Sequence, residues 1–189
     1  MAKSEFMTPH QALAANGKSF DWARRFLGKQ MGGDAATLYR FCRVLDDMAD
    51  GDITDGPRRL LTIREDLQDG RRATDTLLAD FQPFIHQKNL PVPVIIALID
   101  GLLQDQKPVR IADEWALRRY AFHVAGTVGL LMCHVLDCDD DAARAHAIDL
   151  GIAMQLTNIA RDVLEDAEMG RRYLPASWAG DVTPAHITA

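Results

Sequence analysis

Apolar residues recur at helical spacing through most of this chain, and runs with the two-residue alternation of a strand are nearly absent. That pattern restricts the fold to packed helices, with Gly and Pro marking where one ends and the next begins. Ser19 is placed to cap a first helix carrying Phe20, Ala23, Phe26 and Leu27, with Gly32-Gly33 ending it. A second helix is expected over 34–50, with Leu38, Phe41, Val44, Leu45 and Met48 on its packing face. Gly51 and Gly56-Pro57 bound a loop, and further helices are expected near 58–68, 74–86 and 92–104. Asp113 reads as the cap of a long apolar helix over 114–136. After an acidic turn at 137–141, a last helix runs over 142–169, with Gly170 and Pro175 as its stop. The tail, 176–189, carries no convincing element, and residues 1–189 read as one all-α domain.

Composition narrows the function classes. With 189 residues, 48% of them hydrophobic, the chain is long enough for a real core. A formal charge of −6 argues against a dedicated nucleic-acid binder. The three cysteines, Cys42, Cys133 and Cys138, have no metal-ligand spacing and read as inert thiols in a reducing compartment. The first 18 residues lack the apolar core of a signal peptide, and the apolar stretches 92–103 and 124–136 are too short to span a bilayer. A cytoplasmic protein is expected, with peripheral membrane contact left open; its oligomeric state is open too.

Two acidic segments stand out on this helical background, Asp46-Asp47-Met48-Ala49-Asp50 and Asp162-Val163-Leu164-Glu165-Asp166. Each holds an Asp-x-x-x-Asp pair, just over one helical turn apart, so both carboxylates project from one face. Like charges at that spacing destabilise a helix unless a cation compensates. Magnesium is the candidate, and magnesium held by few carboxylates implies a phosphate-bearing substrate. On the first helix Tyr39, Arg43, Asp46 and Asp50 share a face, while Asp47 lies about 100° off Asp46. The competing reading is an ion-paired helix end solvated by water. On the late helix Gln155, Asn158, Asp162 and Asp166 form a polar line opposite Ile152, Leu156, Ile159 and Val163. Arg161, Arg171 and Arg172 flank it, and their forked donors suit diphosphate oxygens.

A third segment, Tyr120 to Gly129, places Gly126 and Gly129 inside a helical pattern, where each costs about 1 kcal/mol relative to alanine. Close approach by a ligand or by another backbone accounts for them equally well. Tyr120 either donates into a cavity or is a satisfied core tyrosine. His123 has no His or Cys partner at metal spacing and reads as a packed side chain.

Together these segments resemble the squalene/phytoene synthase family. Ser19-Phe20 with Leu38 to Asp50 is similar to the family's first aspartate-rich motif, and Gly101 with Asp105, then Tyr120 to Gly129, to its central motifs. Gln155 to Pro175 is similar to the second signature almost letter for letter, and the resemblance covers about 19–175.

The resemblance implies an all-α isoprenoid-synthase bundle around a central cavity, with the two aspartate motifs facing each other across its mouth. It implies Mg2+, or Mn2+ in its place, bridging carboxylates and a prenyl diphosphate. Asp46 and Asp50 would serve one cluster, and Asn158, Asp162 and Asp166 the other. Arg43 and Arg161 would bind diphosphate, and Tyr120 would assist ionisation. Tyr39, Gln155 and Tyr173 match positions near the site. The implied reaction joins two prenyl diphosphates head to head through a cyclopropyl diphosphate, in carotenoid or isoprenoid biosynthesis. Geranylgeranyl diphosphate is expected for a phytoene-type product. Farnesyl diphosphate is expected for a squalene or dehydrosqualene type, with NADPH only for the squalene case.

Two departures are visible. The stretch Leu27-Gly28 to Gly32-Gly33 lacks the family's usual Leu-Pro and following arginine. The chain ends at Ala189, so the C-terminal part of the usual domain is expected to be missing and an apolar face to be left exposed. A non-catalytic assembly or scaffold member of the family is the alternative of another class. A head-to-tail elongase lacks the context of 120–129 and 155–175, and a di-iron bundle would need a Glu-x-x-His pair that is not present.

Overall fold

The computed structural model describes residues 4–106 and 108–179, and among these it contains helices and no strand. The chain enters through a 3-10 turn, Ser4–Phe6, followed by α1 (Pro9–Asn16) and α2 (Lys18–Arg24). The long α3 (Lys29–Ala49) is followed by α4 (Gly56–Asp69), α5 (Thr76–Gln87) and α6 (Val92–Gln104). Then come α7 (Glu114–Ala121), a π-helical turn (Phe122–Gly126) and α8 (Thr127–Val135). The last elements are α9 (Asp141–Arg161), α10 (Val163–Glu168) and a short α11 (Ala176–Ala179).

The core gathers on α3. Its apolar face, Leu38, Phe41, Val44, Leu45 and Met48, is at most 1% exposed and packs with Leu60 and Ile63 of α4, Phe81 of α5 and Ile95 and Ile99 of α6. Phe41 stacks on Phe81 with centroids 3.8 Å apart. Each such side chain contributes roughly 1.5–3 kcal/mol by leaving water. A second, smaller cluster joins Val109, Leu117, Tyr120, Ile159 and Tyr173. No described helix is long and apolar enough to cross a membrane.

Local chemistry sets most boundaries. Asp113 caps α7 by accepting from the Ala116 N–H at 2.8 Å, as its position predicts, and Asp140 caps α9 in the same way through Ala143. Gly170, at φ +75°, turns the chain after α10.

Four expectations need correction. First, α1 is absent from the sequence reading, although Thr8 and Gln11 form a capping box around Pro9 at the first turn. Second, Gly32-Gly33 does not end a helix but lies in the first turns of α3. The break falls at Gly28, at φ +74°, and α2 starts after Gly17, with Ser19 inside it and the Ser19 side chain outside the described residues. Third, the helix expected over 114–136 holds a π turn, in which the Thr127 N–H bonds to the Phe122 carbonyl and the Thr127 hydroxyl donates to His123 O at 2.7 Å. Fourth, the helix over 142–169 kinks at Asp162 (φ −101°, ψ 17°), which separates α9 from α10.

The glycines of the third segment are explained by helix packing. A Cβ at Gly129 would stand 2.2 Å from the Ala147 carbonyl oxygen, and one at Gly151 2.4 Å from that of Ala125, so α8 and the π turn meet α9 backbone to backbone. Gly101 likewise admits the Cβ of His123, whose ring Nδ1 lies 3.0 Å from Ala97 O. Gly129→Ala is expected to cost about 1–3 kcal/mol, read as a lower urea midpoint, because the obstruction is rigid backbone. Gly33→Ala, with no atom within 4 Å of the new Cβ, is expected to stabilise α3 by about 0.5–1 kcal/mol in the same measurement.

Candidate active site

The first aspartate motif occupies the last turns of α3. Arg43 Nη1 holds Asp46 at 2.8 Å and Arg43 Nη2 holds Asp47 at 2.6 Å. Asp47 is buried and also accepts from the Ser4 hydroxyl, so it fastens the N-terminal turn to α3. That accounts for its place 100° off the shared face. Asp46 and Asp50 keep their outer edges in water, with side chains 43% and 40% exposed. Loss of water around Asp46, then repulsion from Asp50, Asp47 and Asp105, pushes its carboxyl up to about 7 against the pull of Arg43. Tyr39, half-buried one turn before Arg43, lies against Gly17, with its ring centroid 6.2 Å from that of Phe20.

The second motif straddles the kink between α9 and α10. Gln155 is half-buried and Asn158 is exposed. The Asp162 N–H still bonds to Asn158 O at 2.9 Å and the Asp166 N–H to Asp162 O at 2.8 Å, so the kink keeps the ladder close to helical. Arg161, 67% exposed, clasps Asp162 with Nε and Nη2, both at 2.6 Å, and lowers its pKa. Asp166 is half-buried; lost hydration and then repulsion from Asp162 push it up to about 6, while Arg171 works in the opposite sense.

The two motifs meet through residues downstream of the second. Arg171, its side chain 18% exposed, donates from Nη1 to Asp50 Oδ1 at 3.0 Å across 121 positions of sequence. Backbone pairing holds this segment in place: Arg172 N–H bonds to Val109 O at 3.0 Å and Ile111 N–H to Arg172 O at 3.1 Å. The pairing brings Tyr173 onto Tyr120 with ring centroids 4.9 Å apart. Both phenols donate to Asp105, Tyr120 at 2.8 Å and Tyr173 at 3.0 Å. Burial and the Asp105 charge raise both phenols above the ordinary tyrosine value.

Arg171 and Asp105 are the residues that a reading by helical spacing leaves out of the site. Arg171 was visible only as a flanking charge. Asp105 was visible only as part of a matching motif. Ile159, Val163, Asp166, Arg171 and Tyr173 border a cleft of about 230 Å3, counting space open to solvent. Leu150 is 61%, Met154 38% and Leu164 39% exposed. Among the described residues no three Asp, Glu, His or Cys side chains converge as a ready-made metal cage.

The all-α bundle that carries these two aspartate-rich helix ends has the fold of the isoprenoid synthases. The squalene/phytoene synthase family model matches residues 13–188, and the chain belongs to that family. It is 32% identical to the phytoene synthase of Pseudescherichia vulneris, over 95% of this chain and 63% of that protein. It is 36% identical to the presqualene diphosphate synthase of Rhodopseudomonas palustris, over 88% of this chain and 61% of that protein. A solved dehydrosqualene synthase aligns at TM-score 0.76 and 30% identity, over 89% of this chain and 60% of that one. The chain thus spans about three fifths of the length of these relatives.

Proposed function

We propose that this protein joins two prenyl diphosphates head to head, in a phytoene-synthase-type step of carotenoid biosynthesis. The observation that carries the reading is the meeting of both aspartate motifs at one mouth, joined by Arg171 and Asp50 at 3.0 Å. Magnesium, or manganese, fits the residues present. The donors are carboxylate and amide oxygens, and at Asp46 the charge of Arg43 does not offset lost water and the neighbouring carboxylates. Spread over two helices, they suit an ion that takes one or two carboxylates and completes its shell with phosphate oxygens and water. Asp46 and Asp50 would hold it on one side, and Asn158, Asp162 and Asp166 on the other. When bound, it neutralises charge developing on the departing diphosphate.

The chain's own residues supply the rest. Arg43 and Arg161 carry donors for diphosphate oxygens, as their forked geometry suits. Tyr39 and Gln155 would border the same mouth. Tyr120 and Tyr173 would set two buried aromatic rings beside the reacting centre, where positive charge develops on the allylic carbon as diphosphate departs and is attracted to a ring face. The allylic cation so formed needs walls that exclude water. A cytoplasmic location, with peripheral contact to a membrane that dissolves the prenyl chains, follows from the same substrate class.

The relatives include phytoene, presqualene diphosphate and dehydrosqualene synthases, so farnesyl diphosphate is the competing substrate, with NADPH used only in a squalene-type ending. Incubation with geranylgeranyl or farnesyl diphosphate and Mg2+, followed by hydrocarbon analysis, tests both. A forty-carbon product supports the proposal, and a thirty-carbon product alone replaces it with the farnesyl reading. Mg2+-independent biological activity with no product from either would favour a scaffold member.

A further inference from the structure

Asp105 is the C-cap of α6, far in sequence from either aspartate motif, yet its two oxygens face two different phenols. Oδ2 accepts from Tyr120 at 2.8 Å and Oδ1 from Tyr173 at 3.0 Å. The two rings stack with centroids 4.9 Å apart and planes 30° apart. Three elements meet at this carboxylate: the end of α6, the last turn of α7 and the segment after α10. The charged groups around it are Arg171 and the carboxylates of Asp46, Asp50 and Asp166. Asp105 therefore stands where both motifs and the tyrosine pair meet.

We propose that Asp105 is a positioning residue, a two-oxygen clamp that sets the orientation of Tyr120 and Tyr173 at the reacting centre. The inference rests on the prenyl-transfer reading for its consequence in turnover, but the clamp itself is independent of it. A carboxylate is required because each oxygen serves one phenol. An asparagine would present an amide N–H to one of them, and that phenol would have to turn from donor to acceptor.

The test uses the full chain labelled at the tyrosine phenol carbon, whose three tyrosines give three resonances. In Asp105→Asn the Tyr120 and Tyr173 resonances move upfield as donation to a carboxylate is lost, while Tyr39 stays in place. With prenyl diphosphate and Mg2+, kcat falls about 10- to 100-fold and KM stays within about threefold. The double variant with Tyr120→Phe loses less than the two single losses combined, because part of the effect of Asp105 passes through that phenol. Asp105→Glu, which keeps two acceptor oxygens and the charge, recovers more of kcat and of the resonance positions than Asp105→Asn, and carries the test should the latter not fold. Unmoved tyrosine resonances, additive losses in the double variant, or a loss confined to KM or to thermal stability would each overturn the proposal. If the unaltered chain forms no product, the prenyl-transfer reading falls, and the resonances alone decide whether the clamp exists.

Discussion

Asp162→Ala is expected to lower product formation by about a thousandfold or more while leaving the fold intact. Its side chain is 30% exposed and its described ion pair is with Arg161, itself 67% exposed, so removal takes away little stability. In the proposed function it would hold a cation against a diphosphate, where single electrostatic stabilisers are worth roughly 100- to 1,000-fold in rate and act together with their neighbours. The measurement is turnover beside circular-dichroism melting: a loss of product with the melting temperature within about 2 °C supports the assignment. Full turnover in this variant would remove the second motif from the site.

The metal-free protein is expected to become less stable as pH rises from about 4 to 7. In the unfolded chain Asp46 ionises near 3.8, and in the fold burial and the carboxylates around it push that to about 7. Between these values the folded state holds a proton that the unfolded state has released, so this stability is complete below the lower value and lost as pH passes the upper one. Asp166, pushed up to about 6, adds in the same sense. The outer edge of Asp46 is in water, 43% exposed, so the effect is screened well below the full shift, to about 1 kcal/mol or a few degrees of melting temperature. Two consequences separate this from general acidity. Asp46→Asn flattens the slope and raises the melting temperature at pH 8, although it removes a proposed ligand. Added Mg2+ stabilises the unaltered chain more at pH 8 than at pH 5, because protons and the cation compete for the same oxygens. A melting temperature that rises steadily from pH 4 to 7 without metal would contradict the charge balance described for this mouth.

Much of this architecture was legible in the residues. The span of α6 and the Asp113 cap of α7 were read correctly because Pro91, Pro93 and Asp113 mark boundaries by local chemistry. The kink at Asp162 and the π turn at Phe122–Gly126 were not, since both leave the periodicity of apolar residues almost unchanged. Gly129 illustrates a different limit: its spacing announced close approach, but only the structure identifies the Ala147 backbone as what approaches. Within the site, helical spacing grouped Tyr39, Arg43, Asp46 and Asp50 because they lie within three turns of one helix. It could not group Asp50 with Arg171, 121 positions away, or Asp105 with Tyr173, 68 positions away. Those contacts depend on the backbone pairing of 109–111 with 172, which has no periodic signature at all.

The central claim is that the two aspartate motifs form one diphosphate site. Binding of an unreactive prenyl thiodiphosphate, measured by calorimetry with and without Mg2+, tests it most directly. The account predicts binding that requires Mg2+ and is weakened at least tenfold by Asp50→Ala and by Asp162→Ala alike. Binding that is unchanged without Mg2+, or that survives loss of either motif, would contradict it.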